Sequence, residues 1–312
     1  MELSKIFIII VNWNGWQDTY DCLDSLSEST PPPATEFNIV IVDNASNNHS
    51  VERLREYIKN HSAYTNIKLI ENKQNSGFAG GNNIGIKYAL EKKAEWILVL
   101  NNDTIVEKDF LVELIEGAKK DSKIAFANPK IFLGADKTKN KIWFVGGKIN
   151  PITMRGTHVN YGKDDTTELS GKEIYKSAYA TGCCLLVKAN LISEIGLMPE
   201  EYFLYYEDAE WSLRARRRGL YCAVIPSAKI WHKGAASSKE GSPDYIRYHV
   251  RNGLMFVFRN GNPAQILLAY FIIYPRFLWQ IFKFIFAIKR SWAKAVLQGI
   301  IDVWTVKKGK IA

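Results

Sequence analysis

Residues 96–106, WILVLNNDTIV, begin as an unbroken apolar run and then reach two amides and a carboxylate. An apolar run of this kind is typical of a strand that is buried on both faces of a parallel sheet. Two earlier segments have the same design, IFIIIVN at residues 6–12 and FNIVIVDNAS at residues 37–46. The sequence therefore predicts three buried strands that each end on polar side chains.

Helical patterns lie between these strands, at residues 17–26, 50–60 and 80–94, and IKLIEN at residues 67–72 adds a short strand. Alternating strands and helices predict an α/β fold with a doubly wound, mostly parallel sheet. Ligands of such sheets bind beyond the carboxyl ends of the strands. We therefore expect three polar clusters to converge there, namely Asn12-Trp13-Asn14-Gly15, Asp43-Asn44-Ala45-Ser46 and Asn101-Asn102-Asp103.

The pattern weakens in the second part of the chain. Residues from about 124 to 182 indicate short β-like pieces with glycine joints, and YCAVIP predicts a strand that ends at Pro226. EDAEWSLRARRRGL predicts a helix, because its acids come first, its cations come last and Gly219 follows. That order of charges suits the helix dipole.

The formal net charge of +9 is concentrated at the end of the chain. Residues 244–312 contain 11 Lys and Arg against 2 Asp and Glu, whereas the first 243 residues contain 30 of each. A balanced main body gives no reason to expect nucleic acid as a partner. The four cysteines lack the paired spacing of a zinc site and predict reduced thiols, and the N-terminus lacks a signal-peptide pattern. We expect a cytoplasmic protein.

The apolar segment at residues 266–290, ILLAYFIIYPRFLWQIFKFIFAIKR, is interrupted by Pro275, Arg276, Gln280 and Lys283. A membrane-spanning helix needs roughly 20 nearly uninterrupted apolar residues. The segment instead predicts a pair of helices lying in the bilayer interface, with basic side chains facing anionic head groups. The predicted anchors are Trp279, Trp292 and Trp304. The alternative is a helical hairpin that covers the core of a soluble protein.

Each polar cluster allows a structural and a functional interpretation. Asp103 either makes an Asx turn or holds a divalent cation whose other ligands come from a phosphate. His232 is either a packed histidine or a further ligand of that cation. The acids at the start of the predicted helix, Glu207, Asp208 and Glu210, either stabilise its N-terminus or include a general base.

The segment QNSGFAGGNNIG at residues 74–85 opens a helix whose first amides could face an anion. A dinucleotide-binding fingerprint, G-x-G-x-x-G, would instead follow the first strand directly. NWNGW occupies that position, which disfavours a nicotinamide-dependent dehydrogenase.

Seven segments, taken in order, resemble the GT-A-fold glycosyltransferases of family 2, especially their rhamnosyltransferase-like branch. They are VNWNG, VDNASNN, NSGFAGGNNIG, LNND, ATGCCLLVKA, YYEDAEWSLRARRRG and WHKG, followed by YHVRN, and they cover residues 6 to about 252. The resemblance implies a GT-A catalytic domain over residues 1–243, with a nucleotide-binding half at about 1–103 and an acceptor half at about 104–243. Residues 244–312 then form a helical, membrane-associating appendage.

The resemblance also implies roles for individual residues. Asp208 matches the catalytic base, Asp103 the last acid of the metal-binding DXD motif, and His232 a further metal ligand of some members. The implied cofactor is a divalent metal, Mn or Mg. The implied nucleotide pocket contains Asn12, Trp13, Asn14, Asp43, Asn75, Gly77, Asn82 and Asn102. Because Asn101 stands where many members have another acid, we expect the metal to bind together with the nucleotide rather than alone.

The function implied is inverting transfer of a sugar from a nucleoside-diphosphate sugar to a glycan or lipid-linked acceptor in cell-surface polysaccharide synthesis. dTDP-rhamnose is the favoured donor and UDP-hexoses come next. The site of action would be the inner face of the cell membrane, reached through the C-terminal tail. Arg251 and Asn252 of YHVRN either reach the diphosphate, or Arg251 is a structural ion-pair partner.

Two alternative functions are weighed against this one. A nucleotidyltransferase would carry a Gly-rich basic loop after the first strand, and NWNGWQD contains no basic residue. A non-catalytic nucleotide-sugar or glycan-binding module is disfavoured by the presence of Asp103, Asp208 and His232, although the missing first acid of the DXD motif favours it.

Overall fold

A mixed β-sheet forms the centre of the molecule in a computed structural model that describes residues 3–61, 66–165, 174–234, 241–286, 288–305 and 309–311. Its first half is parallel, in the order β4, β1, β2, β3. These strands are β1 (Ser4–Asn12), β2 (Thr35–Asp43), β3 (Asn66–Glu71) and β4 (Trp96–Asn101). The strands predicted in this half are confirmed.

The second half of the sheet contains both strand directions. β11 (Cys184–Lys188) runs antiparallel to β4 and to β6 (Ile124–Leu133), and β12 (Tyr221–His232) runs parallel to β6. Short strands complete the sheet, and they are β5 (Thr104–Val106), β7 (Ile142–Phe144) and β10 (Tyr175–Ser177). A separate hairpin consists of β8 (Gly147–Ile149) and β9 (Gly156–His158). The predicted stretch at 124–182 lies partly outside the described residues.

Six helices belong to this part of the described chain. They are α1 (Trp16–Ser27), α2 (Ser50–Asn60), α3 (Gly77–Glu91), α4 (Phe110–Lys119), α5 (Ala189–Ile195) and α6 (Glu207–Arg217). The prediction for α2 is confirmed, whereas α3 begins three residues before the predicted start at residue 80. The helix starts earlier because Gly77 takes a φ of 76° and the next amide, that of Phe78, donates to Phe203 O at 2.7 Å.

Alternate residues of β1 face two different hydrophobic cores. Ile6, Ile8 and Ile10 share one core with α1, and Phe7 and Ile9 share the other with α3. Because both faces of β1 are covered by helices, every position of the strand favours an apolar side chain. The four cysteines are free and buried in these cores, as predicted.

The prediction that Pro226 ends a strand is wrong, since β12 continues from Tyr221 to His232. The pairing with β6 shifts register between Ile225 and Lys229, and Pro226 lies in that irregular stretch. Proline is tolerated at such an irregularity because its missing N–H is not needed for the ladder. Beyond it the strand pairs with β5, where His232 lies opposite Thr104.

Three helices form the C-terminal tail in the described residues: α7 (Pro243–Asn260), α8 (Pro263–Ile285) and α9 (Arg290–Trp304). α7 begins beside the predicted domain boundary, and the division into domains stays a prediction. The predicted pair of helices corresponds to α8, which continues through Pro275 and ends at Ile285, and α9, which begins at Arg290. A capping box between Asn262 and Gln265 fixes the start of α8, and the proline removes one internal hydrogen bond without ending the helix.

The surface of α8 is strongly apolar, with Gln280 as its one buried residue. α8 is long and apolar enough to cross a membrane, and 6% of its most apolar window is buried inside the protein. Its exposure contradicts the alternative of a core-covering helix. The exposed large apolar residues of the tail are Leu267, Tyr270, Phe271, Ile272, Tyr274, Leu278, Trp279, Phe282, Ile285, Phe286, Ile288, Trp292, Ile301 and Trp304.

Candidate active site

The three polar clusters converge at the carboxyl edge of the parallel strands, as predicted. The parallel register sets Asn12 beside Asp43, and it sets Val11 beside Asn101. Asn12 Nδ2 donates to Asp43 Oδ2 at 2.8 Å, and both side chains are buried. The strand ends therefore meet through direct side-chain contacts.

Thr19, which sequence analysis did not select, and Ser46 of the second cluster complete this network. Thr19 Oγ1 donates to Asn12 Oδ1 at 3.0 Å and accepts from Asn102 Nδ2 at 3.1 Å, which joins the first and third clusters. Ser46 Oγ donates to Asp43 Oδ2 at 2.6 Å. Fixed partners on every side hold Asn12 and Asp43 in one orientation each.

The loop after β1 leaves one large side chain free for a ligand. Asn14 has a φ of 57°, and its backbone N–H donates to Ser46 Oγ at 2.8 Å. Its side-chain oxygen accepts from the amide of Asn47. Trp13 stands between these anchored positions and is 41% exposed. A flat aromatic surface on a fixed loop suits stacking against a planar ligand such as a nucleotide base.

Asn44 is the central residue of the second cluster, although sequence analysis did not single it out. Its Nδ2 donates to Asn75 Oδ1 at 3.0 Å and to Gly77 O at 2.9 Å. Its Oδ1 accepts from Asn72 and from Ser76. Asn44 thereby ties the end of β2 to Asn75 and to Gly77 at the start of α3.

The start of α3 requires glycine at residue 77. A Cβ there would lie 2.3 Å from Phe203 O, and the φ of 76° is in the left-handed region. One turn later, Asn82 Nδ2 donates to Phe78 O, while its buried Oδ1 has no hydrogen-bond partner among the described residues. A buried acceptor without a donor is costly, so a ligand donor would stabilise Asn82.

Asp103, in the turn between β4 and β5, and His232, at the end of β12, form a buried contact. His232 Nε2 lies 3.1 Å from Asp103 Oδ1, and the residues are 7% and 5% exposed. Burial alone would raise the pKa of Asp103, but the hydrogen bond and positive charge of His232 hold it below its ordinary value. The rings of Trp143 and His232 pack in an edge-to-face arrangement, with their centroids 4.5 Å apart.

These two residues fit a divalent cation that shares its shell with a ligand. A carboxylate oxygen and an imidazole nitrogen are both ligands of Mn. No group of three or more acidic, His or Cys side chains in the described residues could enclose an ion. Asp103 and His232 would thus supply two ligands of such an ion, and a bound molecule or water could supply others.

Asp208 begins α6 and is held by backbone amides. Its Oδ2 accepts from Gly182 N at 3.0 Å, and its Oδ1 accepts from Ala209 N at 2.7 Å. Burial raises the pKa of Asp208, and these amides lower it in part. Burial, together with the charge of Asp208, raises the pKa of the neighbouring Glu207 well above its usual range. The Glu207 Oε2 atom has no partner within the described part of the chain.

Glu210 belongs to a structural network. Its Oε1 accepts from Arg214 at 3.0 Å and lies 3.4 Å from Arg259, and its Oε2 accepts from the Tyr202 hydroxyl. All its strong contacts are thus with the protein itself. Asp208, by contrast, has both carboxylate oxygens held by backbone N–H groups, those of Gly182 and Ala209.

Residues 182 and 183 join Asp208 to the strand edge. Gly182 N donates to Asp208, and Asn101 N donates to Cys183 O at 2.8 Å. A Cβ on Gly182 would lie 2.8 Å from the Phe78 ring, so the start of α3 packs against the same point. Asp103 and Asp208 both raise the pKa of the buried Cys183, after burial itself. Residues 182 and 183 therefore contact Asp208, the end of β4 and the start of α3.

Comparison with known proteins identifies the class to which this site belongs. The family model described as "Glycosyl transferase family 2" matches residues 7–196, which is more than half of the chain. The chain belongs to glycosyltransferase family 2, and its sheet and helices form the GT-A fold.

Two relatives and one solved structure carry more specific names. The chain is 27% identical over 268 residues to "dTDP-rhamnosyl transferase RfbF" of Shigella flexneri, covering 83% of this chain and 82% of the relative. It is 21% identical over 253 residues to "N-acetylglucosaminyl-diphospho-decaprenol L-rhamnosyltransferase" of Mycobacterium tuberculosis, covering 75% and 78%. The fold is similar to mannosyltransferase PcManGT from Pyrobaculum calidifontis, with a TM-score of 0.60, 14% identity and coverage of 98% and 88%.

We predict that Asn44→Ala destabilises the protein by about 2 kcal/mol or more, because several buried polar partners lose their hydrogen bonds at once. Urea unfolding measures the change. Asn47→Ala is the matched control, since Asn47 is exposed and its contact with Asn14 uses the backbone amide; we expect a change within about 0.5 kcal/mol there. Equal losses in the two variants would contradict the role of Asn44 as the centre of the network.

Proposed function

We propose that this family 2 enzyme is a metal-dependent, inverting sugar transferase that uses dTDP-rhamnose, with UDP-hexoses as the next candidates. The acceptor is a hydroxyl group of a glycan or lipid-linked sugar at the membrane. The observation that carries the proposal is the arrangement around residues 182 and 183. Gly182 N donates to Asp208, and Cys183 O accepts from Asn101 N, two residues before Asp103 in the sequence, which supports one shared site.

The choice of donor rests on the relatives. Two of them are named as rhamnosyltransferases, and one of those names specifies dTDP. The exposed Trp13 and the polar clusters Asn12, Asn14, Asp43 and Asn102 then form the nucleotide end of the pocket, together with Asn75, Gly77 and Asn82. The lipid-linked acceptor class rests on the second relative, whose name includes a diphospho-decaprenol.

Asp208 supplies the base in this mechanism. It takes the proton from the acceptor hydroxyl while that oxygen forms a bond to the anomeric carbon. The bond from the anomeric carbon to the diphosphate breaks on the opposite face, so the diphosphate leaves with the bonding electrons and the configuration inverts. The raised pKa of Asp208 favours this role, because a carboxylate of higher pKa accepts a proton more readily.

Asp103 and His232 would hold the cation, and a divalent metal there supplies charge stabilisation to the leaving diphosphate. The solved mannosyltransferase of similar fold contains GDP-Man and Mn2+, which supports a metal in this class of site. The imidazole ligand favours Mn over Mg. Asn101 and Asn102 contribute no charge, so metal and nucleotide should bind together.

The carboxylate of Asp208 is tested by Asp208→Asn. We expect sugar transfer to fall by about 10²- to 10⁴-fold, the usual contribution of a general base. The measurement is release of radiolabelled sugar from dTDP-rhamnose and UDP-glucose, with water or detergent-solubilised glycolipids as acceptors. Because the pKa of Asp208 is raised, wild-type activity should be lost on the acid side at a pH above the ordinary Asp value of about 3.9.

Glu207→Gln and Glu210→Gln are the matched controls for Asp208→Asn. Both remove one acid from the same helix turn, and we expect each to retain transfer within about tenfold, since neither acid is the base. Near-normal turnover of Asp208→Asn would contradict the proposed base and make these two acids the next candidates. Binding of donor without any turnover by the wild-type protein would favour a non-catalytic module instead.

Joint binding of metal and donor is tested by thermal shift. We expect MnCl2 alone to leave the melting temperature nearly unchanged, and dTDP-rhamnose with MnCl2 to raise it by more than dTDP-rhamnose alone. Asp103→Asn should remove the extra increase and keep the shift given by nucleotide alone. A large shift with MnCl2 alone would contradict a shared coordination shell.

The tail supports membrane attachment. Its cations Arg276, Lys283 and Lys289 line a cavity of about 240 Å³ between the tail helices, and Trp292 also lines it. No acidic residue lines that cavity. The exposed aromatic and aliphatic side chains of α8 lie next to these cations along the chain. Exposed apolar and basic groups together suit the surface of an anionic bilayer.

We predict that replacing Arg276, Lys283 and Lys289 by Gln weakens binding to vesicles that contain phosphatidylglycerol by about 10- to 100-fold, since each cation near the surface contributes about 1 kcal/mol. Cosedimentation measures the binding. The control replaces Lys87, Lys92 and Lys108, which are exposed on the catalytic body, and removes the same charge. A wild-type protein that is fully soluble at low salt without binding vesicles would contradict membrane attachment.

A further inference from the structure

The segment that leads into α6 has an unusual backbone. Phe203, Tyr205 and Tyr206 have φ values of 65°, 69° and 74°. Large side chains rarely adopt these left-handed conformations, and each such residue costs on the order of 1–3 kcal/mol. The strain ends two residues before Asp208, so an external constraint must keep residues 202–206 in this shape.

Hydrogen bonds to the carbonyl groups supply this constraint. Every carbonyl from Tyr202 to Tyr206 accepts at least one hydrogen bond. Phe78 N donates to Phe203 O, and Glu210 N, within α6, donates to Tyr206 O. The three remaining carbonyls, those of residues 202, 204 and 205, face α7.

One buried amide on α7 contacts all three carbonyls. Asn252 Nδ2 lies 3.0 Å from Tyr202 O, 2.6 Å from Leu204 O and 3.1 Å from Tyr205 O. Asn252 is fully buried. The NH2 group of Asn252 therefore donates to the Leu204 and Tyr205 carbonyls, and it shares the Tyr202 carbonyl with Leu204 N and Arg251 Nη2. A buried acceptor that loses its donor costs about 1–3 kcal/mol.

Arg251 fixes which way the Asn252 amide points. Arg251 Nε donates to Asn252 Oδ1 at 2.8 Å, so the NH2 group must face the carbonyls. Its Nη2 donates to Tyr202 O at 2.7 Å, and its Nη1 donates to Gly309 O at 2.7 Å. Arg251 thus makes structural hydrogen bonds to backbone groups of the segment and of the end of the chain.

We infer that Asn252 is a positioning residue for catalysis, which holds residues 202–206 in their strained form and thereby sets Asp208 against Gly182 and the acceptor. This inference rests on the proposed role of Asp208 as the base. If this inference holds, the C-terminal tail, through Asn252 on α7, orients Asp208 in addition to its proposed attachment to the membrane. A merely structural Asn252 would stabilise the protein without affecting turnover more than binding.

The test compares Asn252→Leu with Asn260→Leu. Leucine has a similar volume and no donor, so Asn252→Leu removes the side-chain donor from the Leu204 and Tyr205 carbonyls, whereas Tyr202 O keeps its bond from Arg251 Nη2. Asn260 lies two turns later on α7, donates to Phe256 O of its own helix and accepts from Arg217. Asn260→Leu is thus the same substitution on the same helix, at a residue whose described hydrogen bonds do not involve residues 202–206.

We expect kcat for release of radiolabelled sugar from dTDP-rhamnose to fall by about 10²-fold in Asn252→Leu, since a displacement of about 1 Å costs that much in a positioned site. The KM for donor and the Kd for dTDP should stay within twofold, because the nucleotide contacts lie on other elements. Asn260→Leu should keep the wild-type kcat, KM and Kd. UDP-glucose replaces dTDP-rhamnose if only UDP-glucose turns over.

A second substitution separates loop shape from general damage. Tyr205→Gly, introduced into Asn252→Leu, should raise kcat at least tenfold above that of Asn252→Leu alone. Glycine adopts a positive φ without strain, so residue 205 would no longer need the hydrogen bonds from Asn252 to keep its conformation. If Asn252→Leu does not fold, Asn252→Gln serves in its place, since it keeps the amide and displaces it by one methylene group.

The outcomes distinguish this inference from the proposed function. A kcat of Asn252→Leu within threefold of wild type, or an equal loss of kcat and of donor binding without rescue by Tyr205→Gly, would overturn the positioning role and leave the proposed function intact. A wild-type protein that binds donor but never turns it over would overturn the proposed function, and the positioning role with it.

Discussion

The contact between Asp103 and His232 depends on how β12 runs past Pro226. The strand shifts its register with β6 between Ile225 and Lys229 and then continues to pair on both sides. Without this continuation the chain would leave the sheet before residue 232, and the imidazole would not lie opposite the end of β5. Asp103 and His232 therefore come from parts of the chain that are far apart in sequence, and the sheet holds them side by side.

The rest of the site is built outward from that sheet edge. The strand ends contribute Asn12, Asp43 and Asn101, and Thr19 and Asn44 connect them to α1 and α3. Most of these polar side chains are buried and have protein partners already. These side chains are consequently held in place by the protein itself, which would lower the ordering cost of binding a ligand at this edge.

The sequence was sufficient to predict the buried strands and the convergence of the polar clusters, because both follow from the apolar runs and from parallel pairing. It could not identify Asn44 as the central residue, since an asparagine after a strand looks the same whether its side chain makes one hydrogen bond or five. The interpretation of Pro226 failed because a local rule about proline ignores what the neighbouring strand can accommodate. The role of Asn252 depends on φ values at residues 203–206, and bulky aromatic residues give no local signal for a left-handed backbone.

The four buried thiols add a property that concerns handling of the protein. Burial raises the pKa of Cys22 to about 12 and that of Cys222 to about 11, and it raises the pKa values of Cys183 and Cys184 well above the ordinary cysteine value. The thiolate is the reactive form of cysteine, so alkylating and oxidising reagents have almost nothing to attack in the folded state. The rate at which these thiols react with a labelling reagent therefore reports how often the cores unfold. The folded protein should also tolerate storage without reductant.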